Sequence, residues 1–302
     1  MSIHHWSLDR AGDLAECYNR QIAPLPYCYP QLSERFAQGV QEDLAELYGE
    51  SRKLHSEEMI VAADGNRITG FVHVGVLEEE EGEVAKKGVI RFMGYEPGQR
   101  SVGQALLEEA EQQFHTWGTT VISAFAKGNI YHFCSPDGGH SELAGHITSL
   151  LGMNGYETGG KTVNMVREEI NISEPIPPEP EVQITVEGDI NRSILPGVMV
   201  HAEASTGDSL GMCLAYPLEY VQAAEGAQDQ LYINWLSVRR EFQGKGWGAY
   251  LLLRTLWEAQ KVGYQHSILG TGEENHKAQL FYANYGYRTT HSSYSYYKDL
   301  RQ

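Results

Sequence analysis

The chain has 302 residues, 41% of them hydrophobic, and a formal net charge of −17 from 40 acidic and 23 basic side chains. That length carries two domains of ordinary size, and the acidity excludes nucleic acid as a partner, because phosphate neutralisation needs a basic footprint. No apolar run approaches the roughly 20 residues of a membrane span, so no membrane partner is expected either.

The N-terminus, Met1 to Trp6, shows no basic region followed by an apolar stretch, and Cys17, Cys28, Cys134 and Cys213 form no CxxC pair. Both features read as a cytoplasmic protein with reduced, mostly buried thiols. In chain order, Asp9–Tyr48 reads as helical with a break near Pro24–Pro30. Strands follow at Met59–Ala63 and Arg67–Leu77 around the turn Asp64-Gly65-Asn66, and at Lys87–Tyr95. Between them the acidic run Glu78–Glu81, with Glu83, reads as a solvated hairpin loop. Val102, Leu106, Ala110 and Phe114 recur at helical spacing over Val102–Trp117. A strand at Thr120–Ala126, a Gly-rich loop, a helix near Leu143–Leu151 and a strand at Val163–Ile170 complete this half.

Ser173–Glu181 contains four prolines, which can continue neither a helix nor a central strand, and reads as a stiff linker. Beyond it, strands are expected at Val198–Ala204, Leu210–Tyr216 and Leu231–Val238. A helix over Gly246–Val262, a strand at His266–Gly270, a helix at Lys277–Asn284 and a strand at Ser292–Lys298 follow. The second half thus repeats the later part of the first, as a trimmed copy. Charge divides unevenly: residues 1–181 carry 28 acidic and 13 basic side chains, residues 182–302 carry 12 and 10.

The segment Val238-Arg-Arg-Glu-Phe-Gln-Gly-Lys-Gly-Trp-Gly-Ala249 carries the chemistry. A β-branched and aromatic strand runs into Gln-x-x-Gly-x-Gly, and a helix begins at once. Amides in the first helical turn have no intrahelical partner, the helix dipole adds positive potential, and glycines permit close approach; the result is a pyrophosphate cradle. Lys245, Arg239 and Arg240 add cationic character. The glycine spacing matches neither a Walker loop nor a dinucleotide fingerprint.

Downstream stands Asn275-His-Lys-Ala-Gln-Leu-Phe-Tyr-Ala-Asn-Tyr-Gly-Tyr287. With Gln243, Gly246 and Gly248, then Asn275, Ala278, Phe281-Tyr282 and Gly286-Tyr287 in this order, the sequence resembles the GNAT N-acetyltransferases. The resemblance implies an α/β (α+β) fold of two tandem GNAT-like domains, each a mixed, mostly antiparallel sheet flanked by helices. It divides the chain into a degenerate domain at 1–172, the linker 173–181 and an intact domain at 182–302, an arrangement similar to tandem proteins of the mycothiol-synthase type. It implies acetyl-CoA as co-substrate, no metal, and a small-molecule or peptide amine as acceptor. Leu236 and Val238 would pair with the pantetheine and hold the acetyl carbonyl. Gln243, Gly244, Lys245, Gly246, Trp247, Gly248 and Ala249 would hold the pyrophosphate, Asn275 would bond the pantetheine arm, and Tyr282 would protonate the departing thiolate. Read from the residues alone, Asn275 caps a helix, Tyr282 packs in a core, and Gly286-Tyr287 ends a helix.

The strand Leu231–Val238 has no carboxylate for a general base; Asn234, Glu203, Glu219 and water stay open. In the first half Arg100, Ser101, Val102, Gly103, Gln104 and Ala105 fit the loop pattern, so a second CoA loop is expected there. Aligning Gly155-Tyr156 with Gly286-Tyr287 puts Leu151 where Tyr282 stands and Ala144 where Asn275 stands. His132, His140 and His146 fit no metal-ligand spacing. The expected function is acetyl transfer to an amine; a catalytically silent CoA or acyl-CoA sensor and an acyltransferase with another donor or acceptor are the alternatives. The acceptor's identity, the donor's acyl length and the oligomeric state are not legible.

Overall fold

The computed structural model describes residues 2–6, 11–41, 53–78, 86–131, 133–179, 182–188, 195–222 and 224–301. In chain order the elements are β1 (Ser2–Trp6), α1 (Ala11–Ile22), α2 (Ser33–Gln41), β2 (Leu54–Asp64), β3 (Arg67–Leu77), β4 (Lys87–Tyr95), α3 (Arg100–Thr116), β5 (Val121–Ala124), β6 (His140–Ser141), α4 (Gly145–Met153) and β7 (Glu157–Arg167). There follow β8 (Gln183–Glu187), β9 (Val198–Glu203), β10 (Ser209–Pro217), α5 (Leu218–Gln222), β11 (Gln230–Val238), α6 (Trp247–Val262), β12 (His266–Gly272), α7 (His276–Asn284) and β13 (Arg288–Asp299). Most of the acidic run, His132 and the ends of the expected Asp9–Tyr48 helix lie outside the described residues.

The chain forms two compact units, residues 1–162 with 291–302, and residues 163–290. The units do not divide at the proline-rich stretch. Ile170 and Ile172 belong to the core of the second unit. There the Ile172 amide donates to Gln260 Oε1 at 2.9 Å, which ties the start of that stretch to α6. At the other end of the chain, Tyr296–Asp299 of β13 pair antiparallel with β5, as Tyr296↔Ala124 through Asp299↔Val121. The last strand therefore completes the sheet of the first unit.

In the first unit β1 to β4 form an antiparallel sheet, and β4 pairs with β5 in parallel over Lys87↔Val121 to Ile90↔Ala124. Leu14, Tyr18 and Ile22 recur on one face of α1 and are buried. With α2 separated from α1 across Pro24–Pro30, where Tyr27 takes φ 57°, their side chains meet the sheet in an aromatic cluster. Tyr18, Phe36, Phe92 and Phe133 stack edge-on or tilted with centroids 5.2–5.7 Å apart, a geometry worth about 0.5–1.5 kcal/mol per pair beyond area burial.

In the second unit β8, β9, β10 and β11 are antiparallel neighbours, and β11 pairs with β12 in parallel. Val200, Ala202, Cys213, Ala215, Leu231 and Ile233 face α6, whose Leu251, Leu252 and Leu256 are fully buried. Each such leucine contributes about 1.5–3 kcal/mol. α6 ends at Gly263, φ 114°, in the left-handed region that stops the helix.

Candidate active site

Two irregularities in the second sheet build the site. The register between β10 and β11 runs from Gly211↔Val238 to Leu214↔Trp235 and resumes at Ala215↔Ile233. Asn234 is the extra residue, a β-bulge that sharpens the local twist. On its other side β11 pairs with β12 only from Gln230↔His266 to Tyr232↔Ile268, although β11 continues to Val238 and β12 to Gly272. Residues 233–238 therefore turn a strand edge toward the gap with no ladder partner on β12. An extended amide-bearing molecule pairs with such an edge as an added strand would.

The glycine loop stands at the end of that edge. Arg240–Phe242 make a single 3-10 turn, and Gly244 and Gly246 take φ of 76° and 89°, a conformation that a Cβ makes costly. Gly246 is the N-cap of α6, and the first intrahelical bond runs from the Tyr250 amide to its carbonyl at 3.0 Å. The amides of Trp247, Gly248 and Ala249 thus precede the helical ladder, as an anion site requires. The indole of Trp247 turns into the core, so this residue offers its backbone. Gln243 is held by its own amide, Nε2 donating to the Val238 carbonyl at 3.0 Å. A Cβ built on Gly248 would stand 3.6 Å from the Phe281 ring and 3.8 Å from Val238 Cγ2. The end of β11, the start of α6 and α7 therefore converge at this glycine.

Asn275 caps α7, its Oδ1 accepting from the Ala278 amide at 3.1 Å. That leaves the side-chain amide nitrogen for a ligand. Tyr282 lies in the seventh position of α7, buried between the rings of Phe281 (5.2 Å) and Tyr287 (5.5 Å). Burial, with a smaller push from Cys213, raises its phenol well above the ordinary range, so the group is protonated at neutral pH. Its hydroxyl makes no hydrogen bond among the described residues. Burial likewise pushes the Cys213 thiol up to about 12, which removes it as a nucleophile.

Of the base candidates, none stands on β11 beside the gap except Asn234. Glu203 Oε1 lies 3.2 Å from His201 Nδ1 on β9, and Glu219 lies on α5 and acts on Tyr264.

The first unit repeats these devices with different contents. β4 has a bulge where the register passes from His73↔Phe92 to Val74↔Ile90, making Arg91 the counterpart of Asn234. Ala144 is the N-cap of α4 as Asn275 is of α7, without a side-chain cap, and Leu151 holds the seventh helical position. The Tyr156 amide bonds the Leu151 carbonyl at 3.1 Å and the Tyr287 amide bonds the Tyr282 carbonyl at 3.1 Å, behind Gly155 and Gly286 at φ 80° and 83°.

The expected second CoA loop is not a loop. Residues Arg100 to Ala105 are the start of α3, and only Glu96–Gln99 join it to β4, where Arg239–Gly246 join α6 to β11. Gly103 is there for packing: its Cβ would fall 2.4 Å from the Tyr95 ring. The edge of β4 beyond its ladder with β5 is occupied by the chain itself. The Ile90 carbonyl accepts from the Phe125 amide at 2.9 Å, and the Tyr95 carbonyl bonds His146 Nε2 at 2.9 Å. His140 is buried and packs on Phe92 and Phe125. His146 thus satisfies a strand carbonyl. Among the described residues, no group of three or more His, Cys, Asp or Glu could hold a metal ion.

Sequence spacing gave no signal for either bulge, for the β11–β12 gap or for the plugging histidine, because each depends on strand register.

Residues 165–287 match the model of the acetyltransferase (GNAT) family, a span inside the second unit. Among solved structures, a tandem GNAT protein from the clavulanic acid biosynthesis pathway superposes with TM-score 0.67 at 13% identity, over 99% of this chain and 98% of that one. The glucosamine N-acetyltransferase region of a fungal multi-domain GH3 β-N-acetylglucosaminidase gives 0.67 at 14% identity, over 98% of this chain and 38% of that one. A GCN5-related N-acetyltransferase from Sphaerobacter thermophilus gives 0.58 at 16%, over 99% and 95%. The fold is that of tandem GNAT proteins, and the match to the acetyltransferase (GNAT) family model lies at 165–287. No helix among the described residues is long and apolar enough to cross a membrane.

Proposed function

We propose that this chain transfers the acetyl group of acetyl-CoA to the amine of a small molecule or peptide, by direct attack and with Tyr282 as general acid. The observation that carries this reading is the unpaired edge of β11 ending at a glycine-capped helix N-terminus. The edge at Leu236 and Val238 suits the pantetheine amides, and its N–H groups suit the oxyanion that forms at the thioester carbonyl. The loop Gln243–Ala249 suits the pyrophosphate, with Lys245 beside it. Acetyl-CoA supplies the activated acyl group. The phenol of Tyr282, kept protonated by burial, holds the proton that the departing thiolate takes.

β11 carries no carboxylate, so the amine loses its proton to water at the open face or arrives already neutral. The fungal relative's name specifies glucosamine; for this chain, the net charge of −17 favours an acceptor that carries an ammonium group.

The test is a CoA-release assay with acetyl-CoA against a panel of amino sugars, amino acids, aminoglycosides and short peptides. Turnover with at least one amine supports acetyl transfer. Tight acetyl-CoA binding with no turnover on any of them would favour the sensor reading.

A further inference from the structure

On the face of the second sheet opposite α6 stand a carboxylate, an imidazole and a hydroxyl in line, with the hydroxyl hydrogen-bonded to the imidazole and the carboxylate within ion-pair distance of its other nitrogen. His201 Nδ1 lies 3.2 Å from Glu203 Oε1, and His201 Nε2 lies 2.8 Å from Ser209 Oγ. In the tautomer with its proton on the nitrogen that faces Glu203, the ring presents Nε2 to accept from the Ser209 hydroxyl. This is the order of groups that makes a serine nucleophilic.

The line exists because of a third irregularity. Val200 and Ala202 of β9 face α6, so His201 and Glu203 face away. On β10, Gly211, Cys213 and Ala215 share a parity, and strict alternation would send Ser209 to the α6 face with Cys213 and Ala215. Instead the register passes from Ser209↔Glu203 to Gly211↔Ala202. The bulge takes Leu210 into the core at 1% exposure and turns Ser209 onto the face of His201 and Glu203. The side chains of His201 and Glu203 are 28% and 36% exposed, so the line opens to solvent. The guanidinium of Arg239 stands beside it, Nη1 3.4 Å from the Ser209 carbonyl oxygen and Nη2 2.8 Å from Glu241 Oε1.

We propose that Ser209, His201 and Glu203 form a second, independent catalytic site, a serine that accepts acyl groups from small activated esters. Ser209 Oγ attacks the ester carbonyl while its proton passes to His201 Nε2, and Glu203 holds the resulting imidazolium. The leaving alcohol takes that proton as its C–O bond breaks, which leaves an acyl-serine. Water, deprotonated by the same imidazole, then releases the carboxylic acid and restores the serine. An open face without an enclosing cavity suits small aryl acetates.

The test uses the full chain with diisopropyl fluorophosphate, which reads the serine's activation without any acyl substrate: an O–P bond forms at Ser209, the P–F bond breaks, and fluoride leaves with the serine proton. Peptide mapping by mass spectrometry is expected to show the adduct on Ser209. His201→Gln is expected to slow labelling by at least about 10²-fold, the usual contribution of a general base. The wild type is expected to release a burst of 4-nitrophenol from 4-nitrophenyl acetate that Ser209→Ala lacks. Thermal melting of both variants checks that each is folded. No adduct on Ser209, an adduct only on another residue, or labelling unchanged in folded His201→Gln would overturn the proposal.

Discussion

Gly246 separates the needs of the fold from those of the ligand, and two substitutions there read them independently. At φ 89° an alanine pays the left-handed penalty of about 1–2 kcal/mol, and the less flexible unfolded chain returns about 0.4–1 kcal/mol. Sterically it fits, since the nearest atom to a new Cβ is Pro178 Cγ at 3.5 Å. Gly246→Ala should therefore lose up to about 1.5 kcal/mol of stability. Gly246→Asp meets the same backbone strain, but its carboxylate sits at the positive end of α6, where a negative charge recovers about 0.3–1 kcal/mol. Asp should thus be no less stable than Ala. Toward acetyl-CoA the order inverts. A unit negative charge about 4 Å from a phosphate costs between about 1 kcal/mol in water and 4 kcal/mol at a partly screened surface, which is roughly 5-fold to 10³-fold in affinity. Urea unfolding and titration calorimetry on both variants measure the two orders. A folded Gly246→Asp that binds acetyl-CoA as tightly as the wild type would refute the placement of the pyrophosphate on this loop.

Tyr282→Phe keeps the ring packing and removes the proton, so kcat should fall by about 10²-fold with acetyl-CoA affinity unchanged; normal turnover would leave Tyr282 a packing residue. Calorimetry of acetyl-CoA with the full chain should give one site, and Arg100→Ala should not change its affinity, because the edge of β4 is filled by the chain's own amide and imidazole; two equivalent sites would contradict this. His140 is buried and neutral, with its pKa lowered by desolvation to about 4 from the ordinary 6.5. A lowered folded value means that the unfolded chain binds the proton more tightly, so the stability is full above pH 6.5 and drains as pH falls toward 4. The loss at pH 5 relative to pH 7.5 is about 2 kcal/mol. It should show in urea midpoints and shrink in His140→Gln; an identical pH slope in that variant would count against it.

Legibility in the sequence followed the range of the interactions. Gly155-Tyr156 and Gly286-Tyr287 were readable as a repeated helix stop because the positive φ of each glycine is a local demand. The alignment anchored on them pairs Ala144 with Asn275, and both are N-caps. The glycine run 244–248 was readable for the same reason. Arg100–Ala105 misled, because the pattern Arg-x-x-Gly-x-Ala does not reveal that Gly103 is small to admit Tyr95. β1 and β8 left no trace: Ser-Ile-His-His-Trp and Gln-Ile-Thr-Val-Glu are five residues each and mostly polar, and each is a strand only through its neighbour. Proline density marked stiffness at 173–181, but where compact units divide depends on which distant residues pair, as with Tyr296 and Ala124. The bulges at Asn234 and Leu210 have no signature of their own, so strict period-two alternation would place Ser209 on the wrong face.

The strand that closes the first unit is made only after the whole of the second. On a ribosome, the segment 163–290 must be synthesised between the two parts of that unit. At about 5–20 residues per second its 128 residues take roughly 6–26 s. Throughout that interval β5 waits without Tyr296–Asp299, an uncovered edge of the kind that recruits other chains. The second unit needs nothing encoded after Thr290. Order of synthesis and order of completion are therefore reversed in this chain: the half that is made first is finished second, and a stop codon after Thr290 strikes the N-terminal fold while sparing the second unit.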